Sequence, residues 1–199
     1  MERSNVSKQR FLIVTLLNVL ITVVEIIGGL VSGSLALLSD AFHNLGDSIS
    51  IVLGYFAQVI SGRPENRRRT YGYRRAEILS AMANSIFLIV VSIALIVEAI
   101  KRFSHPEHIN GQIMLIVAII GLIANLVSAQ LLHSGSHDSL NVKATYLHVL
   151  SDALSSIAVI FGGVILMFFN ITWLDPTLTI LVALYIAKES LQPESSSRP

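Results

Sequence analysis

Two copies of one spacing, His-x-x-x-Asp, lie inside apolar segments of the chain: His43 with Asp47, and His148 with Asp152. Because four residues make about one turn of an α-helix, each pair projects from a single helix face. An imidazole and a carboxylate are costly to bury in hydrocarbon, so inside a membrane segment they indicate a functional site. Together the pairs supply two nitrogen and two oxygen ligands, which is a ligand set of four-coordinate zinc. The spacing therefore predicts a divalent metal site shared by two helices.

The types of ligand favour particular ions. Imidazole suits zinc, copper, iron and nickel, whereas magnesium, calcium and manganese prefer oxygen ligands alone. The chain has no cysteine and only four scattered methionines, which disfavours copper(I), a soft ion that prefers sulfur. We therefore predict Zn²⁺ as a transported substrate, with cobalt(II) and cadmium as alternatives. We expect no catalytic and no cofactor-binding residues.

Each pair belongs to a longer polar stripe of helical period on an otherwise apolar segment. The stripes are Asp40, His43, Asp47 and Ser50 on one segment, and Asn141, Thr145, His148, Asp152 and Ser155 on the other. Such a stripe faces a bundle interior or a water-filled cavity and not lipid. At about 1.5 Å per residue, both pairs lie roughly 10–20 Å from a membrane surface, near the middle of a core of about 30 Å.

The composition is that of a membrane protein. Of 199 residues, 53% are hydrophobic and 14% are charged, and the mean hydropathy is +0.68, whereas soluble domains carry about 25% charged residues. Six apolar segments are predicted to be membrane-spanning helices: 11–31, 34–60, 78–100, 113–132, 142–169 and 173–187, the last continuing to 191. The predicted fold class is thus an all-α membrane protein with a six-transmembrane-helix bundle.

The positive charges predict an orientation. Twelve of the lysines and arginines lie in the two tails and the second and fourth loops, and only Lys101 and Arg102 lie on the other side. Because positive charge favours the cytosolic side, both termini are predicted to be cytosolic. We divide the chain into a cytosolic N-terminal tail (1–10), the six-helix transmembrane domain (11–191) and a polar, disordered tail (192–199). The net charge of +1 gives no reason to expect a nucleic-acid partner.

Further polar residues have two interpretations each. Asp40, one turn from His43, either relays protons and guides the leaving ion or is solvated near the helix start. Glu25, with Asn18 and Thr22, either lines the cavity or packs against neighbouring helices. Two further sets of residues lie in loops, one at the cytosolic entrance and one at the exit. Each set either binds metal or is part of an ordinary exposed loop. These sets are His133, His137 and Asp138 for the entrance, and His105 and His108 for the exit.

Three stretches resemble the cation diffusion facilitator family of zinc exporters. They are residues 34–47 (SLALLSDAFHNLGD), 146–155 (YLHVLSDALS) and 71–77 (YGYRRAE), which are similar to the second helix, the fifth helix and the entrance to the third. The similarity covers roughly residues 11–191. It implies six transmembrane helices, a homodimer, alternating access and exchange of zinc for protons, and thus a transporter and not an enzyme. It also implies that His43, Asp47, His148 and Asp152 are the zinc ligands, with the first histidine associated with zinc preference.

The resemblance stops short in one respect. Most members of the family continue into a cytosolic domain of ferredoxin-like type, whereas this chain stops at Pro199. We therefore expect no C-terminal cytosolic domain in this chain and a less secure dimer.

The predicted function is export of zinc, or of other divalent metals, from the cytosol by a proton-coupled, multi-pass protein. Its predicted location is the cell inner or plasma membrane, with an organelle membrane as the alternative. Three other functions remain open: a cobalt- or cadmium-preferring exporter, a non-transporting metal-responsive partner of a full-length homologue, and a passive ion channel.

Overall fold

The computed structural model describes residues 2–61, 74–133, 140–169 and 171–191, and over these ranges the only regular elements are helices. The six helices are α1 (Glu2–Ser32), α2 (Leu35–Ser61), α3 (Arg74–Ser104), α4 (Gly111–His133), α5 (Leu140–Phe168) and α6 (Leu174–Leu191). The all-α class is confirmed. Four stretches are long and apolar enough to cross a membrane: Leu12–Ser32, Met82–Ser104, Gly111–His133 and Tyr146–Phe168.

The first helix begins earlier than predicted. The apolar pattern placed its start at residue 11, but α1 begins at Glu2, so the backbone of the segment predicted as a tail is helical. The residues before Phe11 include Glu, Gln, Lys and Arg, which form helices well although they are polar, so hydropathy does not register them. Residues 62–73 of the second loop, the loop residues His137 and Asp138, and the tail 192–199 lie outside the described residues. Arg74 and Arg75, which were predicted in the second loop, are the first two residues of α3.

Helix α2 lies at the centre of the bundle. It packs against α1, α3, α5 and α6, while α4 packs against α1 and α5, and α3 against α6. One apolar cluster joins α2, α4 and α5 around Leu37 and Met114, and another joins α2, α3 and α6 around Leu95 and Ala183. Large apolar side chains on the outer faces, such as Leu30 and Phe161, are exposed, as expected of a surface that faces lipid. The central position of α2 places its polar stripe inside the bundle.

Glycines allow two pairs of helices to approach closely. A Cβ at Gly28 of α1 would lie 2.6 Å from Val117 Cγ2 of α4. The α4–α5 contact brings backbone against backbone, since a Cβ at Gly111 would lie 2.8 Å from the backbone nitrogen of Met167. A Cβ at Gly163 would similarly lie 3.2 Å from Leu115 Cα. Small residues of this kind let helix backbones pack against each other within a membrane.

We expect Gly111→Ala to destabilise the protein by about 1–3 kcal/mol, the usual cost of overpacking, because the new methyl group meets backbone that cannot move away. Gly162→Ala is the matched control. Its Cβ would meet Leu178 Cδ1 at 2.5 Å, which is the end of a flexible side chain that can shift. Thermal unfolding in detergent measures both. Equal stability of the two variants would contradict the packing argument.

Candidate metal centre

The two His-x-x-x-Asp pairs meet at one place in the bundle. His43 and Asp47 lie on α2, and His148 and Asp152 lie on α5. Each side chain offers one ligand atom, and all four atoms lie within 4.8 Å of one another. The helical period aligns the residues of each pair, and the contact between α2 and α5 brings the pairs together.

Nitrogen and oxygen atoms alternate around the centre. Asp47 Oδ2 lies 2.9 Å from His148 Nε2 and 3.7 Å from His43 Nε2. On the other side, Asp152 Oδ1 lies 3.8 Å from His43 Nε2, and Asp152 Oδ2 lies 3.9 Å from His148 Nε2. The imidazole rings stand 5.8 Å apart at an interplanar angle of 59°. Each carboxylate therefore lies within 4 Å of both imidazoles. Four donors this close together can bind one small cation.

The buried side of the centre differs from its open side. The exposed fractions are 8% for the His43 side chain and 4% for Asp152, but 17% for Asp47 and 33% for His148. Asp152 Oδ1 is buried and has no hydrogen-bond partner. A buried carboxylate oxygen is costly unless it is paired or coordinates a metal. The donor set and this oxygen fit a divalent cation such as zinc.

Asp40 lies one turn beyond His43 and is buried, so its interpretation as a solvated residue at the helix start is wrong. Its carboxylate accepts hydrogen bonds from Ser155 Oγ and, at 3.4 Å, from Ser156 Oγ. Both serines are on α5, and Ser155 belongs to the stripe predicted there. Asp40 thus joins α2 to α5 beside the metal centre.

The polar stripe of α1 faces α2. Asn44 Nδ2 donates a hydrogen bond of 2.8 Å to Glu25 Oε2, and Asn18 Nδ2 donates one of 3.3 Å to Ser48 Oγ. Thr22 Oγ1 donates to the carbonyl of Asn18 at 2.7 Å. The contacts of Glu25 and Asn18 show that this stripe packs against α2. Sequence analysis missed Asn44 and Ser48, although their spacing of four residues was a signal that a second face of α2 is polar.

Of the two loop sites predicted as alternatives, the structure describes His105, His108 and His133, and none of the three belongs to a group of three or more possible metal ligands among the described residues. His105 and His108 are exposed between α3 and α4. The ring of His133 lies 5.5 Å from the ring of Tyr146, so this side chain contacts α5. The remaining members of the entrance set, His137 and Asp138, lie outside the described residues.

A carboxylate that the sequence analysis did not single out holds the start of α2. Asp175, the second residue of α6, is fully buried. It accepts hydrogen bonds from Ser34 Oγ at 2.6 Å and from the backbone nitrogens of Leu35 and Ala36 at 2.9 and 3.3 Å. Arg102 Nη1 lies 3.9 Å away from its Oδ2 and donates to the carbonyl of Gly33. This contact joins the start of α2 to α6 and lies beside Arg102 of α3.

The sequence matches a family profile and several curated proteins. A family profile described as the cation efflux transmembrane domain matches residues 11–196. The chain is 42% identical to the cadmium, cobalt and zinc/H(+)-K(+) antiporter of Bacillus subtilis, over 83% of this chain and 54% of that protein. It is 42% identical to the zinc transporter ZitB of Escherichia coli (84% and 54% covered). It is also 42% identical to the metal cation efflux system protein CzcD of Cupriavidus metallidurans (82% and 52% covered). The chain thus spans about half the length of the curated relatives it matches.

Proposed function

Because this chain belongs to the cation efflux family, we propose that it is a transporter, and not an enzyme, which exports zinc from the cytosol in exchange for protons. The observation that carries the proposal is the meeting of two imidazoles and two carboxylates within 4.8 Å inside the bundle. The names of its relatives include zinc, cadmium and cobalt as substrates, and a cobalt- or cadmium-preferring exporter is the nearest alternative.

The proposed ligands are His43, Asp47, His148 and Asp152. Two nitrogens and two carboxylate oxygens without sulfur fit zinc, which prefers four ligands. The absence of cysteine from the chain also suits a transported ion, because thiolates bind zinc tightly and the ion must leave.

We further propose that all six helices cross the membrane, with both termini in the cytosol. In that orientation the C-terminal part of α2 and the N-terminal part of α5 lie on the cytosolic side. Asp47 and His148, the more exposed ligands, are each one turn nearer that side than His43 and Asp152. The site is therefore open towards the cytosol, from which zinc enters. We also propose that the chain consists of an N-terminal tail (1–10), a six-helix transmembrane domain (11–191) and a polar tail (192–199), and that it forms a homodimer in the cell inner or plasma membrane.

Metal and protons compete for the same atoms. A histidine must be neutral and a carboxylate ionised to bind zinc, so binding releases protons. Zinc that binds from the cytosol releases protons there. Protons that arrive from the outer side when the site opens outwards displace the ion in return. Alternating access therefore couples the two fluxes without any further chemistry.

We expect the purified chain, reconstituted into vesicles that are acidic inside, to take up zinc against its gradient. Uptake should fall to the passive level when an ionophore collapses the pH gradient, because protons then no longer drive the outward step. Zinc entry is measured with a fluorescent indicator inside the vesicles. Zinc binding without flux would contradict the proposal and support a non-transporting partner. Flux that does not saturate would support a channel.

A further inference from the structure

Glu25 on α1 is a fully buried carboxyl that is not part of the metal centre. Its Oε2 accepts one hydrogen bond, at 2.8 Å from Asn44 Nδ2. Its Oε1 is buried and has no hydrogen-bond partner. An ionised carboxylate with a single neutral donor is costly in a membrane interior, and such a group is by default functional.

Among the described residues, no lysine or arginine acts on Glu25. The charged groups that act on it are Asp40 of α2 and Asp152 of α5, both acids. Beyond Asp40, α2 adds His43 and Asp47. The packed helix α4 has no ionisable residue before His133 at its end, and Glu25 is the only one in residues 11–32 of α1. With two acids acting on it and no lysine or arginine among them, the neutral carboxylic acid is favoured until a metal cation arrives in the centre.

The bundle leaves space for this carboxyl. Gly121 of α4 faces it, and a Cβ there would lie 2.6 Å from Glu25 Oε1. The carboxyl is also linked to the metal centre, because its donor Asn44 is the residue directly after His43. Asp152, which acts on Glu25 electrostatically, is one of the proposed ligands.

We propose that Glu25 is a second proton-binding residue of the exchange, separate from the metal ligands. When zinc binds, its charge offsets Asp152, the O–H bond of the Glu25 carboxyl breaks, and the proton leaves to the cytosol. When a proton from the outer side returns to the carboxylate, the negative charge beside the centre is lost and zinc is released. This inference rests on the proposed zinc/proton exchange and adds one proton to those that the ligands themselves carry.

The test counts protons released per zinc bound by the full chain in detergent. Isothermal titration with zinc in two buffers of different ionisation enthalpy gives this number. In Glu25→Gln, which keeps the shape and the contact with Asn44, the number should fall by about one at unchanged 1:1 zinc stoichiometry. Glu25→Asp should restore it. The matched control is Thr22→Val, one turn away on α1, which removes another buried polar group and should leave the number unchanged.

A structural role for Glu25 would leave the proton count of Glu25→Gln equal to that of the parent, and that result overturns the inference. If Glu25→Gln does not fold, the inference is tested by infrared difference spectra, zinc-bound minus zinc-free, of the parent and of Glu25→Asp. The carbonyl band of a protonated carboxylic acid should disappear when zinc binds, and its position should shift in Glu25→Asp. A band that is absent, or unmoved by this substitution, overturns the inference. Neither measurement depends on transport. A parent protein that binds zinc but does not transport it would therefore contradict the proposed function without contradicting the role of Glu25.

Discussion

Asp47→Ala and Asp152→Ala should each lower proton-driven zinc uptake about 100-fold or more, since even residues that only orient a ligand cost 10–100-fold in affinity or activity when mutated. Each carboxylate lies between both imidazoles, so its removal leaves three donors at most and an opening in the cage. The measurement is initial uptake into acidic-inside vesicles at several zinc concentrations. A variant that had lost only apparent affinity would reach the parent's rate at saturating zinc, whereas we expect uptake to stay slow at every zinc concentration.

The same variants should fold. Without metal, the alanine removes a buried carboxylate whose neighbours are two histidines, and these can become neutral by losing a proton. The unfolding temperature of the metal-free variant should therefore lie within a few degrees of that of the parent. Zinc at 100 times its dissociation constant should stabilise the parent by about 2.7 kcal/mol and the variants hardly at all. The matched control is Ser151→Ala, next to Asp152 on the exposed face of α5, where the hydroxyl donates a hydrogen bond to the carbonyl of Leu147. Full uptake by either aspartate variant would contradict the ligand assignment.

Periodicity explains why the main features of the bundle and its centre could be predicted. A spacing of four residues fixes the face of a helix, and two antiparallel helices with such pairs near the middle place them at one level. The four side chains do meet between α2 and α5. The number of helices followed from the apolar segments, because long apolar runs separated by glycine, proline and charge leave few alternatives.

The partners of the other polar residues could not be predicted. Periodicity shows that Glu25 and Asp40 lie on a polar face, but not which helix this face meets. The structure pairs Glu25 with Asn44 and Asp40 with Ser155, contacts that depend on the order of helices in the bundle. The start of α1 was missed for a different reason, since helix propensity in a polar segment leaves no trace in hydropathy.

The contact at the start of α2 was the least predictable because 140 residues separate Leu35 from Asp175. The first backbone N–H groups of a helix have no partner within the helix, and the positive end of the helix dipole favours an anion there. The usual solution is a residue of the same segment. Here Ser34 supplies one acceptor, for the nitrogen of Leu37, and the carboxylate of α6 supplies the rest.

We therefore expect Asp175→Ala to lower the free energy of unfolding by about 2–4 kcal/mol. Hydrogen bonds to a charged group are worth about 1.5–3 kcal/mol each, and water that enters in place of the carboxylate should satisfy some of the N–H groups at the start of α2. The substitution also leaves Arg102 without the carboxylate 3.9 Å from it. Asp175→Asn, which keeps one acceptor, should lose less. Unfolding in detergent measures both variants. Thr179→Val, one turn along α6, is the control, because its buried hydroxyl donates to the backbone carbonyl of Asp175 and not to the carboxylate.

The stability loss should extend to transport, because α2 holds both the contact and two of the proposed ligands. His43 follows Leu35 by eight residues, or about 12 Å of helix, so a helix start that is no longer fixed allows α2 to rotate or slide and misplaces His43 and Asp47 together. Zinc affinity of Asp175→Ala should fall while that of Thr179→Val stays the same. If Asp175→Ala unfolds as easily as expected but binds zinc like the parent, then the contact stabilises the bundle without positioning the metal centre.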